Sequence, residues 1–288
     1  MTKSGTVGQG SVFIAGAGLV RAGAVNVLRE LFERTNIGVF NTWTAKGLFP
    51  WNHPAHLGTI GLQANDIALA GLGLFDDVIL CGVSDDELSR RDLSQAGVRW
   101  REIDPGDLAS LHLLSRDAPT PRPRLYDELA AVCQLMYADE SLPTHPARAA
   151  FDLAGCLPDR GVVCADAGRS GFWLGRTFPT RELGSVVLPS VATSAFAVTQ
   201  ALTARRTGRF SVAVVDELDD ATSAIVARAS DLVVEVWSPA GEQLSSTERT
   251  TRLLNAHESG GVHVLSLGVR FSEIHRLIAV AGAPRWHP

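Results

Sequence analysis

The sequence predicts an α/β protein built from two doubly wound, mostly parallel sheets. Three observations carry that prediction. Short apolar runs such as Ile37 to Phe40 and Asp77 to Gly82 have the length and composition of strands buried in the middle of a sheet. From Ser11 to Ile103 such runs alternate with segments of helical periodicity, which places helices on both faces of a parallel sheet. After a proline-rich break the same alternation resumes.

In order, Ser11 to Ala15 reads as a strand that enters Gly16-Ala17-Gly18, and Ala22 to Phe32 as the helix after it. Glycines let the backbone turn sharply there, and a helix N-terminus offers unpaired N–H groups to an anion. Gly23 is displaced from dinucleotide spacing, so close packing at a βα corner is the favoured reading and phosphate binding the alternative. Ile37 to Phe40 leads into the long stretch Asn41 to Gly61, in which residues 47–61 hold three glycines, two prolines and two histidines. Its Leu48, Phe49, Trp51 and Leu57 predict a loop that packs down. Leu62 to Gly71 reads as a helix, Asp77 to Gly82 as a strand, Ser84 to Ala96 as a charged helix and Val98 to Ile103 as a strand. Residues 116–124, with three prolines and four charges, read as a solvated linker. Beyond it come helices at Leu125 to Met136 and Pro146 to Leu157, then a strand at Gly161 to Asp166 and a helix at Val191 to Arg205. Strands at Phe210 to Val215, Asp231 to Trp237 and Val262 to Leu267 and helices at Leu218 to Ala229 and Phe271 to Ala279 complete the pattern. The expected organisation is a Rossmann-like domain over residues 1–115, the linker over 116–124 and a second α/β domain over 125–288.

Composition narrows the function classes. The 288 residues and 45% hydrophobic content supply a substantial core. A net charge of -5 without a basic stripe argues against nucleic acid, and no apolar run reaches the ~20 residues that span a bilayer. The polar, glycine-containing N-terminus lacks the pattern of a secretory signal. Cys81, Cys133, Cys156 and Cys164 have no CxxC spacing and read as buried, reduced thiols of a cytoplasmic protein.

Several motifs carry possible chemistry. Gly16 to Gly18, Thr44-Ala45-Lys46-Gly47, Pro50, His53-Pro54, Gly58, Gly61 and the Asp76-to-Gly82 strand together resemble the central domain of thiamine-diphosphate enzymes of the acetolactate synthase, pyruvate oxidase and 2-oxoacid decarboxylase group. Val162 to Gly168, Trp173, Arg176 and the Ala192 to Ala204 helix resemble, less closely, the diphosphate-binding domain of that group. The resemblance implies a cofactor role for Gly16, Gly18, Thr44, Lys46, Gly58, Gly61, Asp166 and Gly168. It also implies FAD or ADP at the first domain, with thiamine diphosphate and magnesium at the second. Asp216 is the expected surviving carboxylate for the metal.

The sequence departs from the family in two ways. Family members carry their activating glutamate on a further domain, so the resemblance implies that another chain supplies the pyrimidine-binding domain. The expected function is therefore a non-autonomous subunit of a thiamine-diphosphate-dependent carboligase or decarboxylase. Where the family has Gly-Asp-Gly, this chain has Val215-Asp216-Glu217-Leu218-Asp219-Asp220, and Trp237-Ser238-Pro239 stands where an asparagine pair is expected. Four acidic residues in five repel a diphosphate unless a metal neutralises them, and the first turn of a helix is the favoured reading. The alternative function is therefore a non-catalytic structural or regulatory homologue, nucleotide-binding at its first domain or not, that has lost thiamine diphosphate and magnesium.

Other residues weigh less. Lys46 before glycine reads as a solvated tip, with a phosphate contact as the alternative. His53 and His56, separated by Pro54, read as loop packing and not a metal pair. Ser170 lacks a nucleophile elbow. A homo- or hetero-oligomer is expected, with Val186, Val187, Leu188 and Val191, and the following Phe196 and Val198, as candidate interface.

Overall fold

The computed structural model describes residues 10–285; residues 1–9 and 286–288, which the expected domain ranges and the reading of the N-terminus also cover, lie outside it. Ten strands and eleven α-helices are described, besides four short 3-10 turns. The strands are β1 (Ser11–Ala15), β2 (Val39–Thr42), β3 (His56–Ile60), β4 (Asp77–Cys81), β5 (Trp100–Ile103), β6 (Val162–Ala165), β7 (Val186–Val187), β8 (Ser211–Val215), β9 (Leu232–Ser238) and β10 (Val262–Gly268). Between β1 and β5 lie α1 (Ala17–Arg21), α2 (Val25–Thr35), α3 (Asp66–Leu69) and α4 (Arg90–Gln95). Then follow α5 (Arg124–Tyr137), α6 (Pro146–Cys156), α7 (Arg169–Thr177), α8 (Phe196–Arg206), α9 (Asp220–Val226), α10 (Ser246–Ser259) and α11 (His275–Ala281).

The strands form two five-stranded sheets, ordered β3-β2-β1-β4-β5 and β10-β9-β8-β6-β7, with parallel pairing throughout. β1, β4, β6 and β8 are apolar runs buried along almost their whole length, as central strands covered on both faces must be. Each sheet reverses its winding once, between β1 and β4 in the first and between β6 and β8 in the second. At such points the chain leaves neighbouring strands towards opposite faces and opens a crevice where α/β proteins place ligands.

The two sheets share packing. Trp43 and Leu62, from the first, belong to the core cluster of the second, and the Trp43 indole N–H donates to the Pro189 carbonyl at 2.9 Å. Arg176 on α7 reaches across to Asp66 on α3 at 2.8 Å with both side chains fully buried. α5 contacts both β3 and α6, so it is a wall between the units.

Several expectations change. The Asn41 to Gly61 stretch contains the edge strand β3, hidden in the sequence because Gly58 and His56 break its apolar character. The segment 116–124 is not a solvated linker throughout. Thr120 is buried, its backbone N–H donates to Asn36 O, and its hydroxyl accepts from Gly38 N at 2.8 Å, so it satisfies groups left open between α2 and β2. Val186, Leu188 and Val198 are core, packed around β6, and of the expected interface Val191 is exposed. Cys81, Cys133 and Cys164 are buried and Cys156 half-buried, all as free thiols. Among the described residues no helix is long and apolar enough to cross a membrane.

Candidate functional site

The expected site residues separate into three places. Gly16, Gly18, Thr44 and Gly61 gather at the first switch point. A Cβ on Gly16 would lie 2.5 Å from Gly82 O, and one on Gly18 would lie 2.7 Å from the same atom, so these glycines let α1 pack onto the turn after β4. The N–H of Ala17, where phosphate binding is the alternative reading, donates at 3.1 Å to the Glu87 carboxylate. The same carboxylate accepts from the Thr42 hydroxyl at 2.8 Å, from the Thr44 hydroxyl and from Ser84 N at 2.7 Å. Glu87 is buried, and Gly61 packs against its backbone oxygen. A side chain of this protein thus holds the position in the first crevice where a helix N-terminus would offer its N–H groups to a phosphate. Glu87 was missed because Asp85-Asp86-Glu87 reads as a solvated charge run.

Asp166, Gly168 and Asp216 gather at the second switch point. Asp216, leaving β8, turns to the N-terminus of α7, where one carboxylate oxygen accepts from Arg169 N at 2.7 Å and the other from Ser170 N at 2.9 Å. A Cβ on Gly168 would meet Asp216 Oδ2 at 2.5 Å, so glycine is what admits this carboxylate. Asp166 accepts from Ala197 N at 2.8 Å at the start of α8, and burial pushes its carboxyl above the usual range. Asp219 caps α9 through Thr222 N at 2.7 Å. Three acidic side chains therefore satisfy three helix N-termini, each in the position that the helix dipole offers to an anion.

Lys46 and Gly58 lie elsewhere, in a cavity of about 740 Å³ between β3, α5 and α7. Lys46 is not a solvated tip: it is 7% exposed, and its ammonium faces the Thr59 hydroxyl at 3.4 Å. Burial, and then the Arg176 charge, lowers its pKa from the usual 10.5 to about 7. Beside it His56 is held neutral, pushed down to about 3 by burial. His53 stacks on Phe49 with ring centres 5.0 Å apart, and its Nδ1 accepts from Ala55 N. The two histidines share no ligand geometry, and among the described residues no three His, Cys, Asp or Glu side chains group as a metal site.

With this geometry in view, three comparisons are informative. The family model described as the thiamine pyrophosphate enzyme central domain matches residues 9–107. The acetolactate synthase of Mycobacterium avium is 36% identical over 101 residues, 34% of this chain and 16% of that protein. An acetolactate synthase large subunit assigned in Methanocaldococcus jannaschii is 24% identical over 203 residues, 59% of this chain and 34% of that protein. Residues 9–107 are homologous to the central domain of the thiamine pyrophosphate enzymes. An X-ray structure of a Mycobacterium smegmatis protein assigned as thiamin diphosphate-dependent shares the fold, with TM-score 0.66 and 16% identity over 92% of this chain and 62% of that one. Each match spans a part of the relative, from 16% to 62% of its length in these three. The resemblance of the second half to the diphosphate-binding domain implies a diphosphate and its metal at the second switch point. The residues there do not fit that pair. Both oxygens of Asp216 are committed to α7, and Asp166 to α8.

Proposed function

We propose that this chain is a non-catalytic homologue of the acetolactate-synthase-like thiamine pyrophosphate enzymes, retained as a structural or regulatory partner of other chains. The observation that carries the reading is the Asp216 carboxylate on Arg169 N and Ser170 N. A carboxylate in that position repels a diphosphate and satisfies the N–H groups that would bind it. The other reading, a subunit completed by a chain that supplies the pyrimidine-binding domain, requires those N–H groups to be free. Glu87 adds weight, because it fills the equivalent position of the first sheet.

The test is turnover of pyruvate with thiamine diphosphate and magnesium, by the chain alone and mixed with an acetolactate synthase that carries all its domains. The expected result is no turnover from the chain and no increment on mixing. Acetolactate formation that disappears in Asp216→Asn would overturn the proposal.

A further inference from the structure

The cavity between β3, α5 and α7 has a charge imbalance that nothing at the switch points explains. Its walls are largely apolar, with Leu125, Tyr126 and Leu129 from α5, Phe151 from α6 and Phe178 after α7, and among the described residues no Asp or Glu lines it. Its polar end is formed by Lys46, Thr59 and Arg176. The two nitrogens of the Arg176 guanidinium end are spent, Nη2 on Asp66 and Nη1 on Thr59 O, while its buried Nε has no partner. Lys46 forms no ion pair with any carboxylate among the described residues and has the Thr59 hydroxyl as its polar contact. A buried ammonium without a counter-ion is costly, and a ligand that brings one negative charge relieves it. The cavity size is within the range of small-molecule sites, which are mostly apolar with a few convergent polar groups.

We propose that this cavity binds a small organic carboxylate with a hydrophobic body, its carboxylate against Lys46 and Arg176 Nε and its body along Leu125, Leu129 and Phe178. A monoanion suits the site better than a phosphate, because two isolated donors and a hydroxyl replace the fan of backbone N–H groups that phosphates use. The lining without carboxylates excludes a cationic ligand. The site is independent of Asp216, so its failure leaves the proposed function standing, and the reverse holds too.

Proton linkage gives the site a signature. Lys46 is the cavity group that changes charge near neutrality, with its pKa lowered to about 7. The groups facing it keep theirs. From β3, His56 is neutral, pushed down to about 3; from α5, burial raises Cys133 to about 11 and Tyr137 well above its usual value. Arg176 from α7 and Arg181 after it place guanidinium groups on the lining, and the Arg122 guanidinium lies over the Tyr126 ring. A bound carboxylate favours charged Lys46, so binding takes up a proton above about pH 7 and weakens as pH rises further.

The experiment is titration calorimetry of the full chain with phenylbutyrate and with phenylbutanol as its neutral counterpart, in two buffers of different ionisation heat at about pH 8. Expected are saturable binding of the acid with Kd below about 1 mM, at least tenfold weaker binding of the alcohol, and proton uptake with the acid. Lys46→Met should weaken the acid at least tenfold and leave the alcohol unchanged. Ala130→Trp, which fills the cavity from a half-buried position on α5, should abolish both. No saturable binding, equal affinity for acid and alcohol, or full acid affinity in a folded Lys46→Met variant would overturn the proposal. If that variant fails to fold, the acid-to-alcohol ratio and the proton uptake of the parent chain decide.

Discussion

Removal of the Glu87 carboxylate should destabilise the first sheet more than any other change to one surface-looking residue. Glu87 accepts hydrogen bonds from Ala17 N, Ser84 N and the hydroxyls of Thr42 and Thr44, which joins the turn after β1, the end of β2 and the turn after β4. In Glu87→Ala these donors lose a charged acceptor in a buried place. Hydrogen bonds to charged groups contribute about 1.5–3 kcal/mol each, and they are not additive. Because Ala17 N and Ser84 N are half-buried and regain some water, the expected loss is about 3–4 kcal/mol in total. For 288 residues the unfolding entropy is on the order of 0.6 kcal/mol/K, so the melting temperature should fall by about 5–7 °C. Glu87→Gln keeps the volume but points an amide NH2 at one of the donors, and should lose about 2 kcal/mol. Scanning calorimetry of both variants, with and without acetate, is the assay. Acetate should recover part of the loss in Glu87→Ala and do nothing for the parent, since the small anion can re-enter the vacated position. A Glu87→Ala variant within about 1 kcal/mol of the parent would refute the reasoning, because that is the ordinary effect of a surface substitution.

Three further outcomes follow from buried groups. Lys46 has a folded pKa of about 7 against its usual 10.5, so between those values the unfolded chain binds more protons and stability rises with pH. The penalty is therefore complete below about pH 7, and Lys46→Met should be more stable there by about 2–4 kcal/mol in urea unfolding, an advantage that shrinks towards pH 10. His145 and His56 are pushed down from 6.5 to about 4 and about 3 by burial, so the stability present above pH 6.5 is lost as pH falls through these values. His145 Nδ1 caps α6 by accepting from Ala147 N, and His145→Asn, which keeps a capping oxygen, should flatten the acid slope between pH 6.5 and 4 in the same assay. Asp66→Asn leaves the Arg176 guanidinium buried without its counter-charge and should cost about 3–5 kcal/mol by urea unfolding.

The strands at the sheet centres were legible because β1, β4, β6 and β8 are uninterrupted apolar runs that end at a glycine or an aspartate. β3 was not, since its burial comes from α5 lying over it and not from its own pattern. α7 was also hidden: Gly171 and Gly175 weaken helix propensity, and Gly175 is there because Leu62 and Leu188 press against it. α10 had a readable start, the capping box of Ser245 and Glu248, which its polar composition obscured. At the switch points, the positions of Gly16, Gly18, Asp166 and Gly168 followed from strand ends. What occupies the crevices did not, because Glu87 and Asp216 reach them from separate loops and an acidic run has no inward signal. The burial of Lys46 depends on Arg176 and on α5, both far along the chain, and no local pattern encodes it.

The most direct test of the central claim, that this chain's own carboxylate fills the diphosphate position, is calorimetric titration of the parent chain with thiamine diphosphate and magnesium. The account predicts no saturable heat, with any interaction weaker than about 1 mM. A micromolar dissociation constant, about 8 kcal/mol of binding free energy, that is lost on replacing Asp216 by Asn would contradict it. It would show that Asp216 leaves Arg169 N and Ser170 N to serve a bound metal.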